Sequence, residues 1–263
     1  GLNPGLVAAL ALAPRARAQA PDQPEPCPRL IAGAPPFIQR AAVKTDELLL
    51  SFVGHATFTI ETPQGVRVAT DYNDYVRPRG ELDVITMNKA HDTHFSSRPP
   101  ASIPHVLRGW NPEGGPAHHD LQVGDVRIRN VTTDIRGGIM GRMPDGNSIF
   151  IFEIANMCIA HLGHLHHTLN QQQLNEIGRI DAVMVPVDGG VTLDMNGMIE
   201  VLESLKSPLM IPMHYFSTYS LRRFLDKAQE KFQVEVNDTG STVISKTTLP
   251  DKPKVLVLPG RSF

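Results

Sequence analysis

Histidines stand in groups directly after predicted strands, where they could bind a metal ion. The chain has 263 residues and 11 histidines. His91 and His94 follow the apolar run at 84–87, and His214 follows the apolar run at 209–213. Two imidazoles three residues apart can converge on one ion. The spacing therefore predicts a metal site, with surface or helix-capping histidines as the alternative.

The densest group of histidines follows a further apolar strand pattern. It consists of His161, His164, His166 and His167. Buried imidazoles need polar partners, so packing alone does not account for this density. Metal binding is the interpretation we favour, and a solvated histidine-rich turn is the alternative.

Other catalytic motifs do not compete with the histidines. The sequence has neither a serine nucleophile elbow nor a glycine-rich phosphate loop. Loop or surface positions are the better interpretation for His105, His118 and His119.

Composition and charge exclude several classes of protein. Hydrophobic residues make up 41% of the chain, enough for a sizeable core, so a disordered chain is excluded. Lys and Arg total 25 against 27 for Asp and Glu, giving a net charge of -2. This balance lacks the basic excess typical of nucleic-acid binding, and we expect no nucleic-acid partner.

Short β-type runs dominate the first half of the chain, and helical periodicity joins them in the second half. We expect a meandering antiparallel sheet first and alternating strands and helices afterwards. The predicted strands are 47–53, 57–61, 66–69, 83–87, 125–132, 148–154, 158–162, 182–187, 209–213, 233–236 and 242–245. The predicted helices are 168–177, 193–205 and 220–231.

The amino-terminal segment resembles the end of an export signal. An apolar run at 5–13 is followed by the small-x-small sequence Ala-Gln-Ala at 18–20. An ordinary apolar helix is the alternative, and the run is too short to span a bilayer. We expect a signal remnant at 1–20, a Pro-rich lead at 21–45 and one domain at 46–263, in an exported, periplasmic protein without stable membrane insertion after signal removal.

Only two cysteines occur, Cys27 and Cys158, which excludes a disulfide-rich scaffold and a CxxC metal cluster. An oxidising compartment would permit a bridge between them, but spacing does not establish its geometry. We expect no disulfide.

Six segments in order resemble the metallo-β-lactamase superfamily, in particular its branch with the ascorbate-phosphate lactonases and N-acyl phosphatidylethanolamine phospholipase D. The segments are Phe-Val-Gly-His-Ala-Thr at 52–57, Val-Ala-Thr-Asp at 68–71, His-Asp-Thr-His at 91–94, His-Leu-Gly-His at 161–164, Ile-Asp-Ala-Val-Met-Val-Pro-Val-Asp-Gly-Gly at 180–190 and Ile-Pro-Met-His-Tyr at 211–215. The resemblance implies an α/β fold, a four-layer αββα sandwich, and hydrolysis by metal-activated water.

The chain departs from this family's usual metal-binding pattern, which is His-x-His-x-Asp-His in the first metal loop. Lys89 stands where a ligand histidine is expected, and Thr93 stands where the aspartate is expected. His164 occupies the position of the bridging aspartate, and Asp134 that of the middle ligand histidine. The usual dinuclear zinc site is therefore not assumed.

The resemblance still implies a coherent set of metal ligands. Those ligands are His91, His94, His164 and His214, with Asp134 as a carboxylate donor and His161 as a reserve ligand or outer partner. Imidazoles suit one or two Zn²⁺ ions, and Mn or Fe are the alternatives.

The resemblance also implies roles for residues around the metal. We expect Lys89 to stabilise an anionic substrate or oxyanion, and His55 or His167 to relay a proton. Asp71 is expected to hold a ligand histidine, with a strand-terminal turn as the alternative. Asp188 is interpreted as a turn residue.

Two functions remain open from the sequence. The first is a metal-dependent hydrolase acting on a small ester, lactone or phosphodiester. The second is a non-hydrolytic descendant of the fold that binds a metal or ligand, suggested by the exchanged residues Lys89, Thr93 and His164. The partner expected is a small-molecule substrate, selected by a loop at 98–117, and related lactonases often form homo-oligomers.

Overall fold

Fourteen strands and three α-helices are formed by residues 43–137 and 141–260, the part of the chain that the computed structural model describes. The strands are β1 (Glu47–Gly54), β2 (Thr57–Glu61), β3 (Arg67–Ala69), β4 (Val84–Met87), β5 (His105–Arg108), β6 (Asp120–Val123), β7 (Val126–Arg136), β8 (Arg142–Ile154), β9 (Met157–His161), β10 (Ala182–Pro186), β11 (Leu209–Met213), β12 (Gln233–Val236), β13 (Ser241–Ser245) and β14 (Lys254–Val257). The helices are α1 (Gln171–Ile177), α2 (Met195–Leu205) and α3 (Thr218–Ala228), and a 3₁₀-helix covers Asp92–His94.

The first sheet has six strands in the order β13-β1-β2-β3-β4-β5. Along β1, Leu48, Leu50 and Phe52 alternate with half-buried residues, because successive side chains of a strand point to opposite faces. Strands β1, β2 and β3 are antiparallel, as expected. However, β4 pairs with both β3 and β5 in parallel, so the prediction of a fully antiparallel first half is wrong there.

The second sheet has eight strands in the order β12-β14-β11-β10-β9-β8-β7-β6. Strands β7 and β8 form a long antiparallel hairpin, whereas β9, β10 and β11 are parallel. Parallel neighbours require a crossover connection, and α1 and α2 lie in the two crossovers. The carboxyl ends of β10 and β11 therefore lie at the same edge of the sheet.

The main core lies between the two sheets and includes the fully buried Phe58, Phe150 and Phe152. A second core joins the eight-stranded sheet to the three helices, with Met198, Leu202 and Phe224 among its members. The helices are capped locally: the Asp194 side chain accepts from two backbone N–H groups at the start of α2, and Ser217 forms a capping box at α3.

The outer face of the six-stranded sheet has a smaller core. Here Ile85 and Met87 pack with Tyr72, and Phe95 and Trp110 cover them from loops. The expected α/β class is confirmed. In the described part of the chain, this outer layer is built from loops and the 3₁₀-helix in place of the α-helical layer of the expected αββα sandwich.

Three short strands were not predicted from the sequence: β5, β6 and β14, each of four residues. Length alone does not account for this, because β4 and β12 also have four residues and were predicted. The three strands are placed by pairing with β4, with β7, and with β11 and β12, which the sequence does not show. His105, expected in a loop, begins β5 and is partly buried.

Several expectations concern the amino terminus. The signal remnant at 1–20 and most of the lead at 21–45 lie outside the described residues, as does Cys27. Cys158 is disulfide-bonded, which contradicts our expectation of no disulfide. None of the helices described is both long and apolar enough to traverse a bilayer.

Candidate metal centre

Four histidine rings meet where the carboxyl ends of strands from both sheets come together. We call His55, His94, His164 and His214 the histidine cluster, and all four are buried. The His214 ring centroid lies 4.2 Å from that of His55, 5.0 Å from that of His94 and 4.9 Å from that of His164. The His94 ring lies 4.8 Å from that of His164. A buried group of imidazoles this close is the donor set expected of a transition-metal site.

His94 is oriented by a carboxylate of its own sheet. Asp71 follows β3, and its Oδ2 lies 2.5 Å from His94 Nδ1, which donates the hydrogen bond. Asn88, the residue after β4, donates from Nδ2 to Asp71 Oδ1 at 3.0 Å. Because Nδ1 carries the proton, His94 presents the lone pair of Nε2 to the cluster. This is the contact predicted for Asp71, a carboxylate that holds a ligand histidine.

His214 is oriented in the same way by the eight-stranded sheet. Asp188 follows β10, and its Oδ2 accepts from His214 Nδ1 at 2.9 Å. The other oxygen of Asp188 accepts from the backbone N–H groups of Gly190, Val191 and Thr192 at 2.9, 2.5 and 3.0 Å. Asp188 therefore has two roles, as the turn residue expected from the sequence and as the carboxylate that fixes the His214 ring.

The two oriented imidazoles face each other across the sheets. His94 Nε2 and His214 Nε2 are 3.0 Å apart, and both Nδ1 protons are already committed to carboxylates. Two lone pairs at this separation repel unless a cation lies between them. Two imidazoles on one tetrahedral Zn²⁺, with Zn–N of about 2.0–2.1 Å, have their nitrogens about 3.3 Å apart. The residues present therefore fit a bound metal ion.

His55 completes a group of three ligands. One ring nitrogen each from His55, His94 and His214 lies within 4.8 Å of the other two. The His55 carbonyl accepts from the backbone N–H of His214 at 2.7 Å, which joins the turn after β1 to the end of β11. The sequence predicted His55 as a proton relay, but this position suits a metal ligand.

Three residues of the centre have left-handed backbone conformations. The φ angles are +52° at His55, +41° at Asp71 and +54° at His214. Each such residue costs about 1–2 kcal/mol when it is not glycine. Unfavourable backbone of this kind concentrates at functional sites, where surrounding contacts hold it in place.

His161 forms hydrogen bonds to the turn next to the histidine cluster and is not positioned to bind a metal. Its Nδ1 accepts from the Gly163 N–H at 3.1 Å, so its proton lies on Nε2, which donates to the Ala56 carbonyl at 2.8 Å. Thr70 donates to the same carbonyl. Both ring nitrogens of His161 are therefore occupied by hydrogen bonds, and the one to Ala56 holds the turn that carries His55.

His164 lies beside the centre and contacts two other histidines. Its backbone N–H donates to Asn147, and its Nδ1 is hydrogen-bonded to His166 Nε2. The ring of His91, which is exposed, lies 4.9 Å from that of His164. His164 and His91 thus adjoin the group of three ligands without belonging to it in this arrangement.

Burial lowers the pKa of His55, His94 and His164 in the histidine cluster and of the neighbouring His166. It lowers the pKa of His55 to about 2 and of His166 to about 4, and it lowers the pKa of His94 and His164 well below 6.5. Neutral imidazole is the form that binds metal.

The two carboxylates differ in their electrostatics. Burial raises the pKa of Asp71 to about 6, although His161 and Asn88 oppose the shift. Asp188 is also desolvated, but hydrogen bonds from His214 and Thr192 lower the pKa of its carboxyl below the usual 3.8. Both groups are ionised at neutral pH and can accept from their histidines.

The other predicted site residues lie elsewhere. Asp134 forms an ion pair with Arg142 and accepts from the Asp145 N–H, so its carboxylate is engaged on the β7–β8 hairpin. His167 accepts from the Asp134 N–H at Nε2 and donates to the Thr168 carbonyl at Nδ1. Lys89 is exposed in the loop after β4.

A polar cleft lies beside the centre. Its volume is about 640 Å³, and Asp134, Arg136, Arg142, His166 and Gln173 are among the residues that line it. This volume is within the range of small-molecule sites. His166 belongs to the wall of this cleft and also contacts His164 of the cluster.

Sequence reasoning missed the role of Arg136. Its guanidinium donates to the carbonyls of Gly190, Val191 and Thr192 at 2.9, 2.6 and 2.8 Å, so it fixes the loop that wraps Asp188. The sequence does offer a signal for Asp188 as the partner of His214, because the two residues follow the neighbouring parallel strands β10 and β11. No sequence signal identifies Arg136.

The chain is similar in sequence to known proteins. A family model described as "Beta-lactamase superfamily domain" matches residues 49–214. A UPF0173 metal-dependent hydrolase of Thermoplasma volcanium is 32% identical over 181 residues, which are 62% of this chain and 81% of that protein. A UPF0173 metal-dependent hydrolase of Salinibacter ruber is 24% identical over 217 residues, covering 72% of this chain and 94% of that protein.

A solved structure has the same fold. It comes from Thermotoga maritima and is described as belonging to the metallo-β-lactamase superfamily. It superimposes with a TM-score of 0.59 and 27% identity, covering 81% of this chain and all (100%) of that one.

The carboxylates that orient His94 and His214 should determine metal affinity. We expect Asp71→Asn and Asp188→Asn each to weaken metal binding by about 10–100-fold, because the ring orientation and basicity of the ligand are lost. Chelator competition followed by elemental analysis measures this. Asp134→Asn is the matched control and should leave the affinity unchanged, and an equal loss in that variant would place Asp134 in the metal centre.

Gly163 should be required by the turn between His161 and His164. Its φ is +60°, and an added Cβ would lie 2.4 Å from Asn147 Oδ1 and 2.5 Å from Asn88 Nδ2. We expect Gly163→Ala to destabilise the fold by about 2–4 kcal/mol. Denaturant unfolding measures this, and Gly115→Ala, with φ of +77° and no atom within 4 Å, should cost clearly less. Equal losses of stability in the two variants would show that the positive φ, and not the contact with Asn147 and Asn88, accounts for the effect.

Proposed function

The chain belongs to the β-lactamase superfamily, and from this premise we propose that it is a metal-dependent hydrolase whose metal ion is held by His55, His94 and His214. The substrate class we propose is a small ester, lactone or phosphodiester. The observation that carries the proposal is the distance of 3.0 Å between His94 Nε2 and His214 Nε2, whose rings are each oriented by a carboxylate. A metal ion bound by both Nε2 lone pairs would remove the repulsion between them.

The ion we favour is Zn²⁺, with Mn and Fe as the next candidates, because the donors are imidazoles. A metal bound there supplies a nucleophile at neutral pH by lowering the pKa of bound water toward about 7. Three protein ligands leave a position for that water, as hydrolytic zinc sites require. Asp71 and Asp188 keep the Nδ1 protons of their histidines in place during the reaction.

The cleft beside the cluster supports a small polar substrate. Arg136 and Arg142 line it together with Asp134, and a volume of about 640 Å³ accommodates a small molecule. The roles predicted for Lys89 and His91 stay predictions, and both side chains are exposed.

Metal content tests the proposal first. Protein purified without added metal should contain about one equivalent per chain, and His94→Ala and His214→Ala should each contain less than about one tenth, because each removes a ligand. His91→Ala is the control and should retain the metal. A folded wild-type protein that takes up no Zn, Mn or Fe on reconstitution would refute the proposal.

Turnover tests the substrate class. A panel of aryl esters, lactones and bis(4-nitrophenyl) phosphate should include one substrate that the wild type hydrolyses and His94→Ala does not. A second candidate function, a non-hydrolytic metal-binding protein, is favoured by Lys89 and Thr93 at family ligand positions. Stoichiometric metal without turnover on any member of the panel would support that candidate.

We also propose that the protein is exported. The apolar run at 5–13 with its Ala-Gln-Ala sequence supports this, and so does the disulfide at Cys158, since structural disulfides persist in oxidising compartments. Fractionation of cells that express the natural gene should find the protein in the periplasm. Recovery in the cytoplasm with a reduced Cys158 would contradict the proposal.

A further inference from the structure

Hydrogen bonds among neighbouring residues place the proton of His164 on Nε2, the ring nitrogen that would otherwise be available to bind a metal. We infer that His164 is a catalytic hydrogen-bond donor, whose Nε2–H binds the substrate oxygen that gains negative charge, and that His164 is not a metal ligand. This inference rests on the proposed hydrolase function.

A hydrogen bond between Arg136 and His166 determines which nitrogen of His166 carries the proton. The backbone N–H of Arg136 points at His166 Nδ1, with the two nitrogens 2.6 Å apart. A backbone N–H is always a donor, so His166 Nδ1 must be an acceptor. His166 is therefore a neutral imidazole with its proton on Nε2.

The position of the His166 proton determines that of the His164 proton. His166 Nε2 is hydrogen-bonded to His164 Nδ1. Since His166 carries its proton on Nε2, it is the donor, and His164 Nδ1 is the acceptor. A neutral His164 then carries its own proton on Nε2, and a protonated ring nitrogen has no lone pair for a metal.

The Nε2 proton of His164 has no acceptor among the described residues. His164 Nε2 is buried and has no hydrogen-bond partner within residues 43–137 and 141–260. A buried donor without an acceptor is costly, and native structures retain few of them. Such a donor beside a ligand cluster indicates an acceptor that arrives from outside the protein.

The position of His164 identifies that acceptor. Its ring stands nearly perpendicular to the rings of His94 and His214, with interplanar angles of 86° and 85°. The donor thus lies next to the proposed metal ligands, where the oxygen of an attacked carbonyl or phosphoryl group would sit. Donors fixed in advance at such an oxygen stabilise its developing charge.

Histidine in place of the family's aspartate at position 164 provides a hydrogen-bond donor where the family has an acceptor. The family pattern has an aspartate there, which only accepts hydrogen bonds when ionised, whereas His164 donates. Arg136 and His166 are positioning residues in this arrangement, because they act through His164. His166 also lines the polar cleft, so a substrate in the cleft would adjoin the donor.

The first experiment determines the tautomer and the metal content. Long-range ¹H–¹⁵N correlation spectra of the zinc-loaded protein, with the His164 signals identified by their loss in His164→Gln, should show a protonated Nε2. His164→Gln and His164→Ala should retain the zinc of the wild type. Loss of zinc in both folded variants, or a deprotonated Nε2, would overturn the inference.

The second experiment uses inorganic phosphate as an oxyanion probe. Calorimetric titration of the zinc-loaded protein should show about tenfold weaker phosphate binding in His164→Ala, and smaller loss in His164→Gln, whose amide still donates. Equal affinity in wild type and His164→Ala would overturn the inference.

Variants at His166 test the relay. His166→Gln can still accept from Arg136 and donate to His164, so the Nε2–H signal of His164 should persist. His166→Leu should shift the tautomer population of His164, and an unchanged spectrum would contradict the relay. The spectra report the tautomer of His164 whether or not the protein hydrolyses any substrate. Failure of this inference is therefore distinguishable from failure of the proposed hydrolase function.

Discussion

Each sheet supplies one carboxylate and one imidazole, and the two pairs meet at a single place. Asp71 and His94 come from the six-stranded sheet, whereas Asp188 and His214 come from the eight-stranded sheet. In both sheets the residues follow adjacent parallel strands, whose carboxyl ends share an edge. The packing of the two sheets therefore determines the distance between His94 Nε2 and His214 Nε2, and with it the affinity for a metal.

A continuous polar network connects these pairs to the rest of the fold. Asn88 bonds to Asp71 and also accepts from the Ser148 N–H, which joins the two sheets next to the centre. Asn147 accepts from the His164 N–H, and Arg136 holds the loop around Asp188. Networks in a low-dielectric interior are stable when all members are satisfied, and they then specify one arrangement. The unpartnered Nε2 of His164 is notable against this background.

Sequence reasoning predicted the strands with clear alternation and the ligands directly after them. His94 and His214 come after the apolar runs at 84–87 and 209–213, and Asp71 comes shortly after β3, so their neighbourhood was predictable. The strands β5, β6 and β14 were not predicted, because they are defined by pairing with other strands, such as β5 with β4. The sequence also could not predict that Asp134 pairs with Arg142 across a hairpin, or which nitrogen of His164 carries its proton. Both depend on contacts between segments that only the folded chain brings together.

The left-handed backbone of His55, Asp71 and His214 favours glycine at all three positions. Glycine would adopt these conformations at little cost, and would stabilise the chain wherever ligand contacts were not needed. Hydrogen bonds around the site, among them the one from the His214 N–H to the His55 carbonyl, hold these residues in their unfavourable conformations. A chain that did not need the side chains of His55, Asp71 and His214 would gain stability from glycine at these positions, so this backbone opposes stability at the place where the proposed ligands lie.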